Sequence, residues 1–85
     1  MGIISEKIEG KKISVILESS NLKTAVYTTD SKSLLVEFKN GQQYEYVDVP
    51  WELFTKFRMA ESQGSFFNKN IARSFEYKKI EEDED

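Results

Sequence analysis

The spacing of hydrophobic and polar positions along the chain changes from a period of two to a helical period near residue 48, and its breaks delimit the elements. Ile13-Ser14-Val15-Ile16-Leu17 is a short apolar run rich in β-branched residues, which favours a strand. Glu18-Ser19-Ser20-Asn21 is polar turn chemistry. Residues 24–29 are again β-rich, and Asp30-Ser31-Lys32-Ser33 makes a turn. Leu34, Val36 and Phe38 then alternate with Glu37 and Lys39, so the two sets occupy opposite faces of a strand. Asn40-Gly41 is a strong hairpin signal, because both central positions of a type I′ turn need positive φ. Residues 42–47 supply the return strand. Three strands joined by tight turns make an antiparallel meander. Residues 1–12, rich in Gly and Lys, predict a loose N-terminal arm, and the run at 13–17 can add an edge strand.

In the return strand Tyr44 and Tyr46 are two apart and share a face. A two-residue hairpin pairs Lys39 with Gln42 and sets Glu37 opposite Tyr44, on the polar side. A bulge at Gly41 slips the register by one and sends both rings to the core with Leu34, Val36 and Phe38. The apolar weight of two rings favours the second register.

The period lengthens after residue 48. Pro50 suits a first helical turn, with Asp48 or Val49 as cap and Glu52 near the positive end of the dipole. Leu53, Phe54, Phe57 and Ala60 form one apolar stripe, and Gly64 is expected as a left-handed C-cap. Ser65 is expected to cap a second helix from Phe66 to about Arg73, with Phe67 and Ile71 on one face. Residues 75–80 read equally as a last strand or an extended tail. The fold class is therefore α+β: an antiparallel three- to four-stranded β-meander with one longer and one short C-terminal helix packed on one face.

At 85 residues the chain is one small domain whose core leans on six Phe, four Tyr and one Trp. It has no Cys and no His, which removes disulfides, thiolate sites, the usual zinc ligands and a triad base; no metal or cofactor is expected. No apolar run reaches the roughly 18–20 residues of a membrane helix, and Met1-Gly2-Ile3-Ile4-Ser5-Glu6 fits neither a signal peptide nor a myristoylation site. A reducing cytoplasmic setting is expected. The formal charge of −3 is uneven: residues 81–85 carry −5, leaving 12 basic against 10 acidic residues, or +2, elsewhere. Such a tail is expected to be disordered and solvated, or else to mimic a polyanion over a basic face.

The Ser19-Ser20 pair, Asn40-Gly41, Tyr44-Glu45-Tyr46, Val49-Pro50, an amphipathic helix, Ser62-Gln63-Gly64-Ser65-Phe66-Phe67-Asn68, Ile71 and Phe75-x-Tyr77 occur in this order. Together they resemble the KTSC domain, a module of about sixty residues named for the C-terminus of some lysyl-tRNA synthetases and found free-standing in bacteria and phages. The likeness runs from about Ser19 to Ile80, which divides the chain into an arm at 1–18, a KTSC-like domain at 19–80 and the acidic tail at 81–85. The resemblance implies the fold and, through the synthetase association, RNA binding.

Candidate chemistry gathers at 66–79. Lys69, Arg73, Lys78 and Lys79 face only Glu76 in sequence, among Phe66, Phe67, Phe75 and Tyr77. Cations meet phosphates and rings stack on unpaired bases, so with Tyr44 and Tyr46 they make a nucleic-acid surface; alternatively the rings are core and the lysines serve solubility. Trp51 is expected to lie half-buried over the sheet or, if exposed, to meet a protein. Asn68 is expected to bond nearby backbone or contact a partner. Glu37, Glu45 and Asp48 show no acid–base pairing, and an enzyme is not expected. Two functions stand: a small non-enzymatic RNA-binding module, and a protein-interaction module such as a phage-encoded effector that binds a host protein. The sequence leaves the oligomeric state open.

Overall fold

The computed structural model describes residues 2–80, with side chains from residue 5 onward. The acidic tail expected to be disordered lies outside the described residues. Six antiparallel strands follow chain order across one sheet: β1 (Gly2–Glu9), β2 (Lys12–Glu18), β3 (Leu22–Thr28), β4 (Ser33–Phe38), β5 (Gln43–Tyr46) and β6 (Tyr77–Ile80). Helices α1 (Trp51–Met59) and α2 (Gln63–Asn70) lie between β5 and β6 in sequence. The α+β class and the meander hold, but the sheet has six strands, not three or four. The loose arm expected at 1–12 is largely β1, turned onto β2 by Gly10-Lys11 with Gly10 at φ 59°. With β1 outside it, β2 is an inner strand and not an edge.

Register fixes which side chains meet the helices. Ile13, Tyr27, Leu34 and Tyr46 form one row across β2 to β5, and Val15, Ala25, Val36 and Tyr44 form the next. Both rows are on the helix side. The β4–β5 loop sets this. It is not a two-residue type I′ turn: Asn40 does not have positive φ, whereas Gly41 does, at 95°. Gly41 N donates to Phe38 O at 2.9 Å and Phe38 N to Gln42 O at 2.8 Å, so three residues, Lys39 to Gly41, span the strands. A turn followed by a left-handed Gly is the three-residue hairpin with a bulge. A second bulge, between Leu22 and Thr24, lets Leu22 and Ala25 both face the core although they are three positions apart.

The helices close the core. Phe54 of α1 stacks on Tyr27 with ring centroids 4.6 Å apart, and Phe67 of α2 meets Tyr46 edge-on at 5.2 Å. Phe54, Phe57, Phe67 and Ile71 are all buried. Burial of each such side chain contributes roughly 1.5–3 kcal/mol. The approach to α1 is fixed by Val49, whose N–H donates to Lys32 O at 2.9 Å and whose carbonyl accepts from the Tyr27 hydroxyl at 2.6 Å.

Both helix boundaries differ from the sequence expectation. Pro50 is itself the N-cap of α1, with no side-chain cap bond; Asp48 lies two residues earlier in the left-handed region at φ 59°. Gly64 is not the C-cap of α1, which ends at Ala60; it is buried in the first turn of α2. Ser62, not Ser65, caps α2, its Oγ accepting from Ser65 N at 3.3 Å. The stop for α1 comes from a side chain. Gln63, 1% exposed, donates its amide to the carbonyls of Ala60 (2.9 Å), Arg58 (3.2 Å) and Phe57 (3.4 Å) where the helix runs out of its own N–H donors, Phe57 O also accepting from Ala60 N at 3.3 Å.

Candidate functional site

The predicted site residues separate into three places. Tyr46 is core: it is 4% exposed, and burial, followed by the neighbouring Tyr77 and Tyr44, pushes its phenol up to about 12. It cannot leave the sheet to stack on a base while the domain stays folded. Tyr44 is half-buried, edge-on to Phe38 at 5.6 Å and tilted against Tyr77 at 5.5 Å. Lys79 stands opposite Tyr44 on the same face. Lys78 pairs with Glu45, whose face is the one the helices leave uncovered. Lys69 borders a separate depression between the helices with Ala60, Glu61, Ser62 and Phe66. Arg73 is exposed between α2 and β6.

The ring best placed to meet a ligand is one the sequence reading named only among the aromatic residues of the 66–79 patch. Tyr77 is 55% exposed on edge strand β6, directly opposite Tyr46 and two residues from Lys79. It rests on Tyr46 at 5.3 Å and Tyr44 at 5.5 Å, so the two inner rings hold an outer one whose far side is open. The signal was the two-residue spacing of Tyr77 and Lys79, legible only once 77–80 is known to be a strand paired with β5. None of Lys69, Arg73, Lys78 and Lys79 has an ion-pair partner among the described residues.

Trp51 and Asn68, considered as partner contacts, are differently placed. Trp51 is partly exposed, but the Arg58 guanidinium lies over its ring at 5.2 Å and over Phe54 at 4.9 Å. Arg58 also pairs with Glu6 at 3.0 Å, which ties β1 to α1. Asn68 is exposed and bonds no backbone among the described residues; Asn70 does, donating to Phe66 O at 3.2 Å.

Asn68 borders a cleft of about 470 Å³ between the β2–β3 turn and the start of α2, lined also by Ser19, Ser20, Ser62, Gln63, Gly64 and Ser65. The two serine-containing motifs of the sequence thus meet in space. Much of the convergence is structural. Ser19 Oγ accepts from Asn21 N (3.2 Å) and Leu22 N (3.3 Å), shaping the turn. Gly64 is small because a Cβ there would lie 3.1 Å from Ser19 Oγ. Ser62 and Gln63 cap helices. Among the described residues no cluster of three His, Cys, Asp or Glu is arranged to hold a metal, and no helix is long and apolar enough to cross a membrane.

Comparison with known proteins places this geometry. The KTSC domain model matches residues 18–75, which includes the cleft and the Tyr44–Tyr46 strand. The chain belongs to the KTSC domain family. A KTSC domain protein from Yersinia pestis, known from a crystal structure, superposes with a TM-score of 0.76 at 30% identity, covering 82% of this chain and 99% of that one. The chain is also 33% identical over 63 residues to a lysine–tRNA ligase of Trichormus variabilis, a match covering 74% of this chain but only 11% of the ligase. An uncharacterized protein of Stutzerimonas stutzeri is 38% identical over 55 residues, or 65% of this chain and 78% of that one. The KTSC unit is therefore a small module, shared by short proteins and by a minor part of much longer ligases. Residues 77–80, with Tyr77, Lys78 and Lys79, fall outside the matched span.

Proposed function

We propose that this KTSC protein is a non-enzymatic module that contacts single-stranded RNA through the β5–β6 edge. The observation that carries the reading is Tyr77: an open aromatic face backed by Tyr44 and Tyr46, with Lys79, which has no ion-pair partner among the described residues, beside it. A base stacked on such a ring contributes about 1–3 kcal/mol, and a neighbouring cation meets its phosphate. The similarity to a segment of lysine–tRNA ligases supports RNA as the partner and the cytoplasm as the setting. Lys78, on the other face, and Lys69, beside the helices, are assigned to the outer path of a bound strand, not to the stacking site; Arg73 joins them. With only +2 outside the acidic segment, binding is expected to be weak and strongly salt-dependent.

The test is a titration with fluorescein-labelled oligouridylate at two salt concentrations. Tyr77→Ala should weaken binding by about 1–3 kcal/mol with an unchanged melting curve, and Lys79→Ala should lower the salt slope by about one. Absence of binding by the wild-type chain at low salt rejects the reading.

One observation favours the protein-interaction alternative. The sheet face away from the helices bears exposed Ile16 and half-buried Val26, Leu35 and Ile80, with no aromatic ring among its described residues. It suits a protein better than a nucleic acid.

A further inference from the structure

We propose that the free edge of β6 accepts an extended acidic peptide as an additional strand, with an apolar–acidic–acidic–apolar stretch set against Tyr77 to Ile80. The inference goes beyond the RNA reading and does not depend on it, because it uses the backbone at the rim of the sheet. Val47 N donates to Glu76 O at 3.0 Å, which continues the β5–β6 register and makes that pair hydrogen-bonded. Bonded and non-bonded pairs alternate along an antiparallel ladder. Tyr77 and Lys79, opposite Tyr46 and Tyr44, therefore turn their N–H and C=O groups away from β5. Among the described residues no strand lies beyond them. A peptide strand docks on groups of this kind.

The side chains select the occupant. The row of Ile13, Tyr27, Leu34, Tyr46 and Tyr77 stops at the edge, where Tyr77 is 55% exposed, so an apolar residue in the next strand extends it. Lys78 and Lys79 lie on opposite faces, both exposed and without an ion-pair partner among the described residues, although Glu45 stands opposite Lys78. Opposed residues of neighbouring strands have Cβ atoms about 5 Å apart, so two consecutive carboxylates meet one lysine on each face. The pattern reads the same in both directions, so strand direction does not change it. A second copy of this chain is disfavoured as occupant: β6 paired antiparallel with itself about Lys78 or Lys79 sets that lysine opposite its own copy. The other edge is less suited. β1 carries a bulge between Ile3 and Ser5, and its charges are engaged, Glu6 with Arg58 at 3.0 Å and Lys7 with Glu9 at 3.2 Å.

The test titrates the full chain, free of RNA, with the end-blocked peptide Thr-Val-Glu-Glu-Val-Thr and follows the backbone amides by NMR. Saturable shifts are expected along residues 77–80, with slowed hydrogen exchange at the Tyr77 and Lys79 amides. The basic counterpart Thr-Val-Lys-Lys-Val-Thr should bind about three- to tenfold more weakly. Lys78→Gln combined with Lys79→Gln should erase that preference; the peptide comparison on the wild-type chain decides the matter even if this variant fails to fold. N-methylation of the four central residues of the acidic peptide should abolish binding, since it removes the strand's donors and keeps its charge. Absence of saturable shifts at millimolar peptide, equal affinity for the acidic and basic peptides, or shifts centred on β1 overturns the inference. Undiminished binding of the N-methylated peptide overturns it too, and leaves charge attraction without strand pairing.

Discussion

Val36 stands directly opposite Tyr44 across the β4–β5 hairpin, and Gly41 puts it there. The left-handed Gly41 adds one residue to the loop, and one residue of register decides which face of the sheet receives two tyrosine rings. Gly41→Ala should cost about 1–2 kcal/mol, the penalty for a side chain in the left-handed region; there is open space around the position, so no clash adds to it. Chemical denaturation measures this. No loss of stability would mean that another loop conformation reaches the same register.

Gly64 and Ser19 form a second close relationship. Gly64→Ala brings a methyl to 3.1 Å from an Oγ already held by two backbone N–H groups. Overpacking of this kind costs about 1–3 kcal/mol, and the better helix propensity of Ala offsets up to about 1 of it. In a Ser19→Ala background the clash disappears, so Gly64→Ala should become neutral or stabilising. A double-mutant cycle with free energies additive to within about 0.5 kcal/mol would sink the contact as the reason for glycine.

Gln63 carries the end of α1 on its amide. Gln63→Ala takes the side-chain donor from all three carbonyls, leaving Phe57 O its bond from Ala60 N, and should destabilise by about 2–3 kcal/mol. Gln63→Glu should be worse at neutral pH, because a buried carboxylate then faces carbonyl oxygens. Lowering the pH protonates it and should narrow the gap to wild type. Equal stability of the Glu variant and wild type at neutral pH would count against this cap.

Tyr46 predicts the alkaline limit of the fold. Its folded-state pKa of about 12 lies above the ordinary 10.0, so the unfolded chain loses this proton first as the pH rises. Stability is therefore fully present below pH 10 and declines as the pH climbs from 10 toward 12, by at most about 1.4 kcal/mol per pH unit from this group. Tyr46→Phe should flatten the slope in melts taken across that range. An unchanged slope would assign the alkaline loss to other groups, with Tyr27, whose phenol is raised by burial and by Glu52, first among them.

The sequence by itself determined the strand-turn-strand order from residue 13, the two helices, the core of Phe54, Phe57 and Phe67, and the family, because these depend on local periodicity and on residue order. The partnership of β1 was not legible. Ser5, Glu6, Lys7 and Glu9 give no apolar alternation, and β1 is held by backbone pairing to β2 and by the Glu6–Arg58 ion pair, 52 residues apart. Helix boundaries at Ser62 and Gly64 were missed for a related reason. Glycine before a serine reads locally as a stop, whereas here its smallness answers Ser19, brought close only by the packing of α2 against the β2–β3 turn. The Tyr44–Tyr46 face was decided by a single φ angle at Gly41, since a period of two cannot distinguish the sides of a sheet without its register. Exposure of Tyr77 against burial of Tyr46 was decided last, by strand order: the two rings are opposite each other, but β5 is an inner strand and β6 an edge, so the helix covers one ring and leaves the other open.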